Sequence, residues 1–444
     1  MALLSICLLF LVLWTCCCLQ CHSLSSLRFP VKFRRALSDV TLPNLNGTTT
    51  TGYYVTVQLG SPPQEFNVIL DTGSSNFAIA GAPHEFITRY YNVADSTTAR
   101  RVDSSDITIA YTEGSWKGSV VYDVITIPSA GLVDKVTIPM AVITSSDSFF
   151  VTESNWEGIL GMGYQALAQP QSLNLPSIMD SFVSSAEVED VFSIQLCSSA
   201  DQEATRGSFI IGGADLSLSA GPIEWTRIVQ KWFYEIVIIG MKVGNQDVAL
   251  DCTDFNDDRT IVDSGTSNLR FPTKVYAVLV QMIKELVTQR SFTDEFYASE
   301  KMFCSTNINE VYSWFPNITI YLPSVDFNVT FPLYLFPQNY LQFAVGTGAL
   351  GTESCVKFAI FPSATGTVLG TVVMEQYYVV FNRSAGTVGF ARSSCGTFPS
   401  DFSSPAIIER YINSTTCRLE KSSRASSLRV RNLLFFACHY VCMY

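Results

Sequence analysis

Asp71 and Asp263 sit in two segments of one design, Phe66-Asn67-Val68-Ile69-Leu70-Asp71-Thr72-Gly73-Ser74 and Arg259-Thr260-Ile261-Val262-Asp263-Ser264-Gly265-Thr266. Each is an apolar run that delivers an aspartate into a turn of hydroxyl residue, glycine and second hydroxyl residue. One such turn is ordinary. Two, half a chain apart, predict two related lobes that each supply one carboxylate to a shared site. Two carboxylates in close contact cannot both ionise, so the pair holds one proton between them. The ionised member can take a proton from water while the protonated member gives one to a carbonyl oxygen, so amide hydrolysis needs no covalent intermediate. The titration belongs to the pair.

The flanking residues suit that task. Gly73 and Gly265 lack Cβ, which lets the backbone amides approach the carboxylates. Thr72 and Ser264 carry hydroxyls able to bond across to the opposite lobe, and Ser74 and Thr266 can donate to the outer carboxylate oxygens. The duplication continues downstream, where Trp156-Glu157-Gly158-Ile159-Leu160-Gly161 and Gly366-Thr367-Val368-Leu369-Gly370 each place an apolar pair before a glycine. Such strands can pass beside the aspartate loops of their own lobes.

These motifs, with Phe77-Ala78-Ile79-Ala80-Gly81-Ala82-Pro83-His84, the stretches 154–161 and 263–272, and Met374 to Phe381 followed by Gly389-Phe390-Ala391, resemble pepsin-family aspartic proteases, and within them the β-secretases. The resemblance runs over about residues 45 to 417. It implies a mostly β, bilobal pepsin-like fold with the active-site cleft between a lobe at 36–225 and a lobe at 226–417. The function implied is an endopeptidase that hydrolyses internal peptide bonds at acidic pH, with Asp71 and Asp263 catalytic and with no metal or cofactor. Protein or peptide substrates, among them ectodomains of membrane proteins, are the implied partners of a monomer. A catalytically inactive peptide-binding or decoy relative is the alternative, which intact aspartates and glycines at both motifs oppose.

Several binding roles follow from the same resemblance. Gly73, Gly265 and Thr266 border the dyad, and residues 107–118 read as two strand arms around a glycine-bearing turn, like the family flap. Tyr111 is its tyrosine, Thr112 lies at its tip, and Trp116 is a hydrogen-bonding support. Glu113 stands where β-secretases usually have glutamine. Arg270 occupies a position that contributes to a subsite in β-secretases, although a lone arginine can equally be a surface residue. Ser267, Gly163 and Asn382 also depart from the family pattern, without removing an atom that catalysis requires.

The chain has 13 cysteines. None lies between Asp71 and Cys197, which excludes the small N-lobe disulfide loops of pepsin itself. By resemblance, Cys197 pairs with Cys395, Cys252 with Cys417 and Cys304 with Cys355, whereas sequence alone leaves 15 connectivities open for six cysteines. Residues 1–23 read as a signal peptide without a basic n-region, with a signal anchor as the other reading. Residues 24–35 read as a pro-segment, and Lys32-Phe33-Arg34-Arg35 as either a convertase site or a solvated basic linker. Asn46, Asn317, Asn328, Asn382 and Asn413 head glycosylation tripeptides, as suits passage through the secretory pathway.

Net charge is −11, yet the pro-segment and the tail 418–444 are basic, so the body is strongly acidic. That balance excludes a nucleic-acid partner and suits a basic pro-segment held near an acidic cleft. The apolar run from Leu433 to Tyr444 is too short to span about 30 Å of hydrocarbon at 1.5 Å per residue. The expectation is therefore a protein of the endosomal or Golgi lumen, or a secreted one. Runs such as 52–59 and 377–381 are rich in β-branched and aromatic residues and predict strands. Val275, Val278, Leu279, Met282 and Leu286 predict a helix over 274–288.

Overall fold

The computed structural model describes residues 44–396, apart from 49–50, 112–113, 153, 198–206, 289–291, 327–328 and 345–352. The leader, pro-segment and tail, together with Thr112, Glu113, Asn328, Asn413 and Cys417, lie outside the described residues.

The fold is mostly β, and alternation explains its first strands. In Gly52–Leu59 every second side chain is buried, so one face joins the core and the other does not. This strand pairs antiparallel with Gln64–Asp71, the strand that ends on the first aspartate. Both belong to an eight-stranded sheet that runs, in spatial order, Asn46–Thr48, Gly52–Leu59, Gln64–Asp71, Gly158–Gly161, Phe77–Ala80, Leu132–Asp147, Ser115–Ile127 and Arg100–Ala110.

The C-terminal half repeats the centre of that sheet. Thr260–Val262 pairs parallel with Thr367–Leu369, which pairs antiparallel with Leu269–Pro272, which pairs parallel with Ile360–Ser363. In the N-terminal half, Gln64–Asp71 pairs parallel with Gly158–Gly161, which pairs antiparallel with Phe77–Ala80, which pairs parallel with Leu132–Asp147. Order and sense are the same in both. The glycine-ended strands thus lie where the sequence pattern places them, one beside each aspartate strand.

A five-stranded sheet joins the halves: Ser208–Ile211, Val191–Gln195, Tyr377–Asn382, Thr387–Arg392 and Glu224–Arg227. The strand 377–382 of the C-terminal half pairs along its length with 191–195 of the N-terminal half. The last strands of the chain are thus built into a sheet shared with strands of the first half. Phe192 stacks on Phe381 across this seam with ring centres 4.7 Å apart, and both side chains are fully buried.

The expected helix spans Thr273–Leu286 and ends two residues earlier than its apolar pattern suggests. Val275, Leu279, Val280 and Ile283 are its buried residues, whereas Val278, Met282 and Leu286 pack at the core's margin. Its inward face is thus turned slightly from the one read off the sequence. Cys197–Cys395 and Cys304–Cys355 are disulfides. Cys252 is also disulfide-bonded, and Cys417 lies outside the described residues.

Candidate active site

Two corresponding strands, one in each half, deliver the aspartates. Asp71 is the last residue of its strand, and Asp263 follows Thr260–Val262 directly. Each loop is then tied to the glycine-ended strand beside it, through Met162 N–H to Asp71 O at 2.7 Å and Asp263 N–H to Leu369 O at 3.0 Å. Gly161 and Gly370 permit that approach, because a Cβ on Gly161 would stand 2.6 Å from the Asn76 carbonyl, and one on Gly370 would collide with the carbonyls of Thr266 and Asn268.

Within each loop, the backbone amide two residues on binds the inner carboxylate oxygen. Gly73 N–H donates to Asp71 Oδ1 at 2.7 Å, and Gly265 N–H donates to Asp263 Oδ1 at 2.8 Å. A hydroxyl three residues on donates to the outer oxygen, from Ser74 to Asp71 Oδ2 and from Thr266 to Asp263 Oδ2 at 2.7 Å. The second glycine requirement is mutual, since a Cβ on Gly73 would lie 2.5 Å from the Asp263 carboxylate, and one on Gly265 would strike that of Asp71.

Thr72 and Ser264 lock the loops together. Thr72 Oγ1 donates to Val262 O and accepts from Ser264 N–H, both at 2.9 Å. Ser264 Oγ donates to Leu70 O at 2.6 Å and accepts from Thr72 N–H at 3.1 Å. All four groups are buried, so none has water as an alternative partner.

Both aspartates are almost inaccessible, at 5% and 7% exposure, and their side chains are within hydrogen-bonding reach of one another. Burial first, and then the negative charge of Asp263, hold the Asp71 carboxyl well above the usual carboxylate range, against the opposing bonds from Ser74 and Gly73. The pair is thereby equipped to carry a shared proton.

Over this floor lies the hairpin of Arg100–Ala110 and Ser115–Ile127. Tyr111 N–H bonds Gly114 O at 3.0 Å, and Trp116 Nε1–H donates to the Tyr111 hydroxyl at 3.2 Å. Burial, followed by the charge of Asp71, raises the Tyr111 hydroxyl above its ordinary value, so it stays protonated. The tyrosine ring stacks on Phe149, whose ring in turn meets Phe150 and Trp156 edge-on. Sequence reasoning passed over Phe149 and Phe150, although two adjacent aromatics just upstream of Trp156 were a readable signal. It also missed the buried contact between Tyr53 and Glu375.

Arg270 lies on Leu269–Pro272, half-buried, with its guanidinium 5.6 Å from the centre of the Phe361 ring. Asn46 and Asn317 are exposed. Asn382 is not a surface residue. It is 4% exposed, and its Oδ1 accepts from the Ser384 hydroxyl at 2.8 Å and from Ala385 N–H at 2.9 Å, so the asparagine is tucked in at the end of its strand while Ser384 is exposed. Among the described residues, no group of three or more histidine, cysteine, aspartate or glutamate side chains is arranged to hold a metal ion, and no helix is long and apolar enough to cross a membrane.

A family model described as eukaryotic aspartyl protease matches residues 52–393, and the chain belongs to that family. It is an aspartic endopeptidase with the bilobal pepsin-like fold, acting on protein or peptide substrates. A beta-secretase of Strongylocentrotus purpuratus is 39% identical over 373 residues, covering 79% of this chain and 68% of its own. Gastricsin of Cavia porcellus is 30% identical over 353 residues, which are 77% of this chain and 80% of that one. Embryonic pepsinogen of Gallus gallus is 26% identical over 371 residues, with 82% and 86% covered. The disulfides fit an oxidising lumen or the extracellular space.

Proposed function

We propose that this protein is a β-secretase-like endopeptidase in which Asp71 and Asp263 are the catalytic pair. The observation that carries the reading is the paired floor: two buried carboxylates in mutual contact, each with the same amide and hydroxyl donors, clamped by reciprocal bonds between Thr72 and Ser264. Water bound between the carboxylates loses a proton to the ionised one and attacks the peptide carbonyl carbon. The protonated carboxyl gives its proton to the carbonyl oxygen, forming a neutral gem-diol. One diol hydroxyl then returns its proton to the pair, the amide nitrogen takes up a proton, and the C–N bond breaks to leave acid and amine. Tyr111, held by Trp116, closes over the bound peptide from the N-terminal half. Gly73, Gly265 and Thr266 border the reacting bond, and Arg270 contributes to a subsite tolerant of polar or acidic side chains.

The β-secretase likeness rests on the 39% identity to the Strongylocentrotus purpuratus relative and on the motif stretches that resemble that branch. It points to ectodomains of membrane proteins as substrates and to action as a monomer in the endosomal or Golgi lumen or outside the cell. Residues 1–23 are its leader, 24–35 its pro-segment, 36–225 and 226–417 its lobes, and the mature enzyme begins near Ala36.

Hydrolysis of a peptide library at acidic pH tests the reading. Wild-type enzyme should cleave internal bonds, and Asp71→Ala and Asp263→Ala should each abolish turnover while keeping the fold. Turnover at the wild-type rate by the Asp263→Ala enzyme would refute it.

A further inference from the structure

Tyr53 and Glu375 meet across 322 residues of sequence, the first in the strand beside that of Asp71, the second just past the helix Thr371–Met374. Tyr53 O–H donates to Glu375 Oε1 at 2.6 Å, and the two residues are 1% and 7% exposed. A carboxylate so buried is costly unless strong donors hold it, and an apolar pair of like volume would serve stability alone at least as well. A buried side-chain hydrogen bond of this kind fixes distance and direction. The question is what it fixes.

On one side it leads to the dyad. Glu375 N–H bonds Thr371 O, Thr371 N–H bonds Thr266 O at 2.8 Å, and the Thr371 hydroxyl bonds Ser267 O at 3.0 Å. Thr266 is the residue whose hydroxyl holds Asp263. On the other side it leads to the wall beneath the flap. Two residues before Tyr53, the Thr51 carbonyl accepts from Trp156 Nε1–H at 2.9 Å, and Trp156 packs on Phe149, on which Tyr111 is stacked.

We infer that Glu375 is a positioning residue for peptide hydrolysis: by holding Tyr53, it sets the wall formed by Thr51, Trp156 and Phe149 against the Asp263 loop, and so fixes the groove for substrate residues on one side of the scissile bond. It touches neither the substrate nor the reacting atoms. This rests on the peptidase reading above and adds to it a determinant of which end of a substrate is gripped.

The test compares wild type, Tyr53→Phe, Glu375→Leu and the double variant on one good peptide substrate and on versions trimmed from either end, with active enzyme counted by titration with a transition-state-mimicking inhibitor. If wild type cleaves none of the peptides, the peptidase reading itself has failed. If it does cleave them, each single variant should lower kcat/KM on the full peptide by about tenfold. The loss should shrink below about threefold on peptides trimmed from one end and persist on those trimmed from the other. The double variant should be no worse than the singles, because all three lack the same bond. Tyr53→Phe, which removes a single oxygen, keeps the test decisive should the Glu375 variant fold poorly. Equal losses on both trimmed series, additive losses in the double variant, or wild-type kcat/KM per active site in Tyr53→Phe would each overturn the inference.

Discussion

Ser264→Ala removes one atom from the clamp between the aspartate loops, and its cost can be worked from the bonds that atom makes. Ser264 Oγ donates to Leu70 O and accepts from Thr72 N–H, in a residue 2% exposed. Loss of the first bond costs about 1 kcal/mol net, and stranding the buried Thr72 N–H costs about 1–3 kcal/mol more. The sum is roughly 2–4 kcal/mol. At about 2.1 cal/mol/K per residue over roughly 350 folded residues, the unfolding entropy is near 0.7 kcal/mol/K, so Tm should fall by about 3–6 °C. Activity should suffer more. The freed loops can shift by a fraction of an ångström, and displacements approaching 1 Å cost up to about 100-fold in rate, so kcat should drop by roughly 10- to 100-fold with KM changed less than about threefold. Ser264→Thr keeps the hydroxyl, as Thr72 does in the opposite loop, and should retain most activity. Scanning fluorimetry and steady-state hydrolysis of one peptide measure both quantities. A Ser264→Ala enzyme with Tm within about 1 °C and kcat within about twofold of wild type would show that the reciprocal bonds do not hold the pair in place.

Three further outcomes are expected. Because the Asp71 carboxyl is raised in the folded state, its contribution to stability is fully present below the ordinary value of 3.8 and is lost as pH rises through the elevated value. Asp71→Asn should therefore melt higher than wild type at neutral pH, with the gap closing as pH falls towards 3.8; a gap that widens on acidification would contradict the assignment. Trp116→Phe loses the donor to the Tyr111 hydroxyl, worth about 0.5–1.5 kcal/mol, and should lower kcat/KM by roughly 3- to 10-fold without a comparable fall in Tm. In secreted protein, deglycosylation followed by mass spectrometry should find Asn46 and Asn317 occupied and Asn382 bare; a glycan on Asn382 in active enzyme would mean that its turn opens.

The paired motifs were legible because each is local, with a run of apolar residues, an acid, a hydroxyl and a glycine in a fixed order. So were the alternating strand Gly52–Leu59 and the helix Thr273–Leu286, whose periodicities are those of their own backbones. Contacts between distant side chains were not. Nothing near Arg383 announces that it is 3% exposed and reaches Asp180 at 2.6 Å and Asp190 at 3.3 Å, or that its guanidinium covers the Tyr164 ring. Tyr53 and Glu375 are equally silent. The burial of Asn382 was hidden for a related reason: a glycosylation tripeptide records chemistry, not exposure, and here the asparagine caps its own turn between two core strands. The seam between the halves was hidden because strand 377–382 finds its partner at 191–195 by shape and burial, whereas the duplication of the motifs suggests two separate bodies.

Duplication also creates a difficulty that the fold must solve. A floor with two equivalent carboxylates, two equivalent amides and two equivalent hydroxyls has no preferred direction, whereas a polypeptide reads differently from its two ends. Some element outside the floor has to break that symmetry. The hairpin of Arg100–Ala110 and Ser115–Ile127 covers the dyad from the N-terminal half, bringing Tyr111 and Trp116 against Phe149. Its tyrosine comes close enough to feel the charge of Asp71, so the cover meets the floor on the side of the first carboxylate. The Tyr53 and Glu375 contact then fastens the wall beneath that cover to the opposite loop. Symmetry therefore supplies the shared proton, and the unshared parts of the N-terminal half supply the direction in which a substrate must lie to use it.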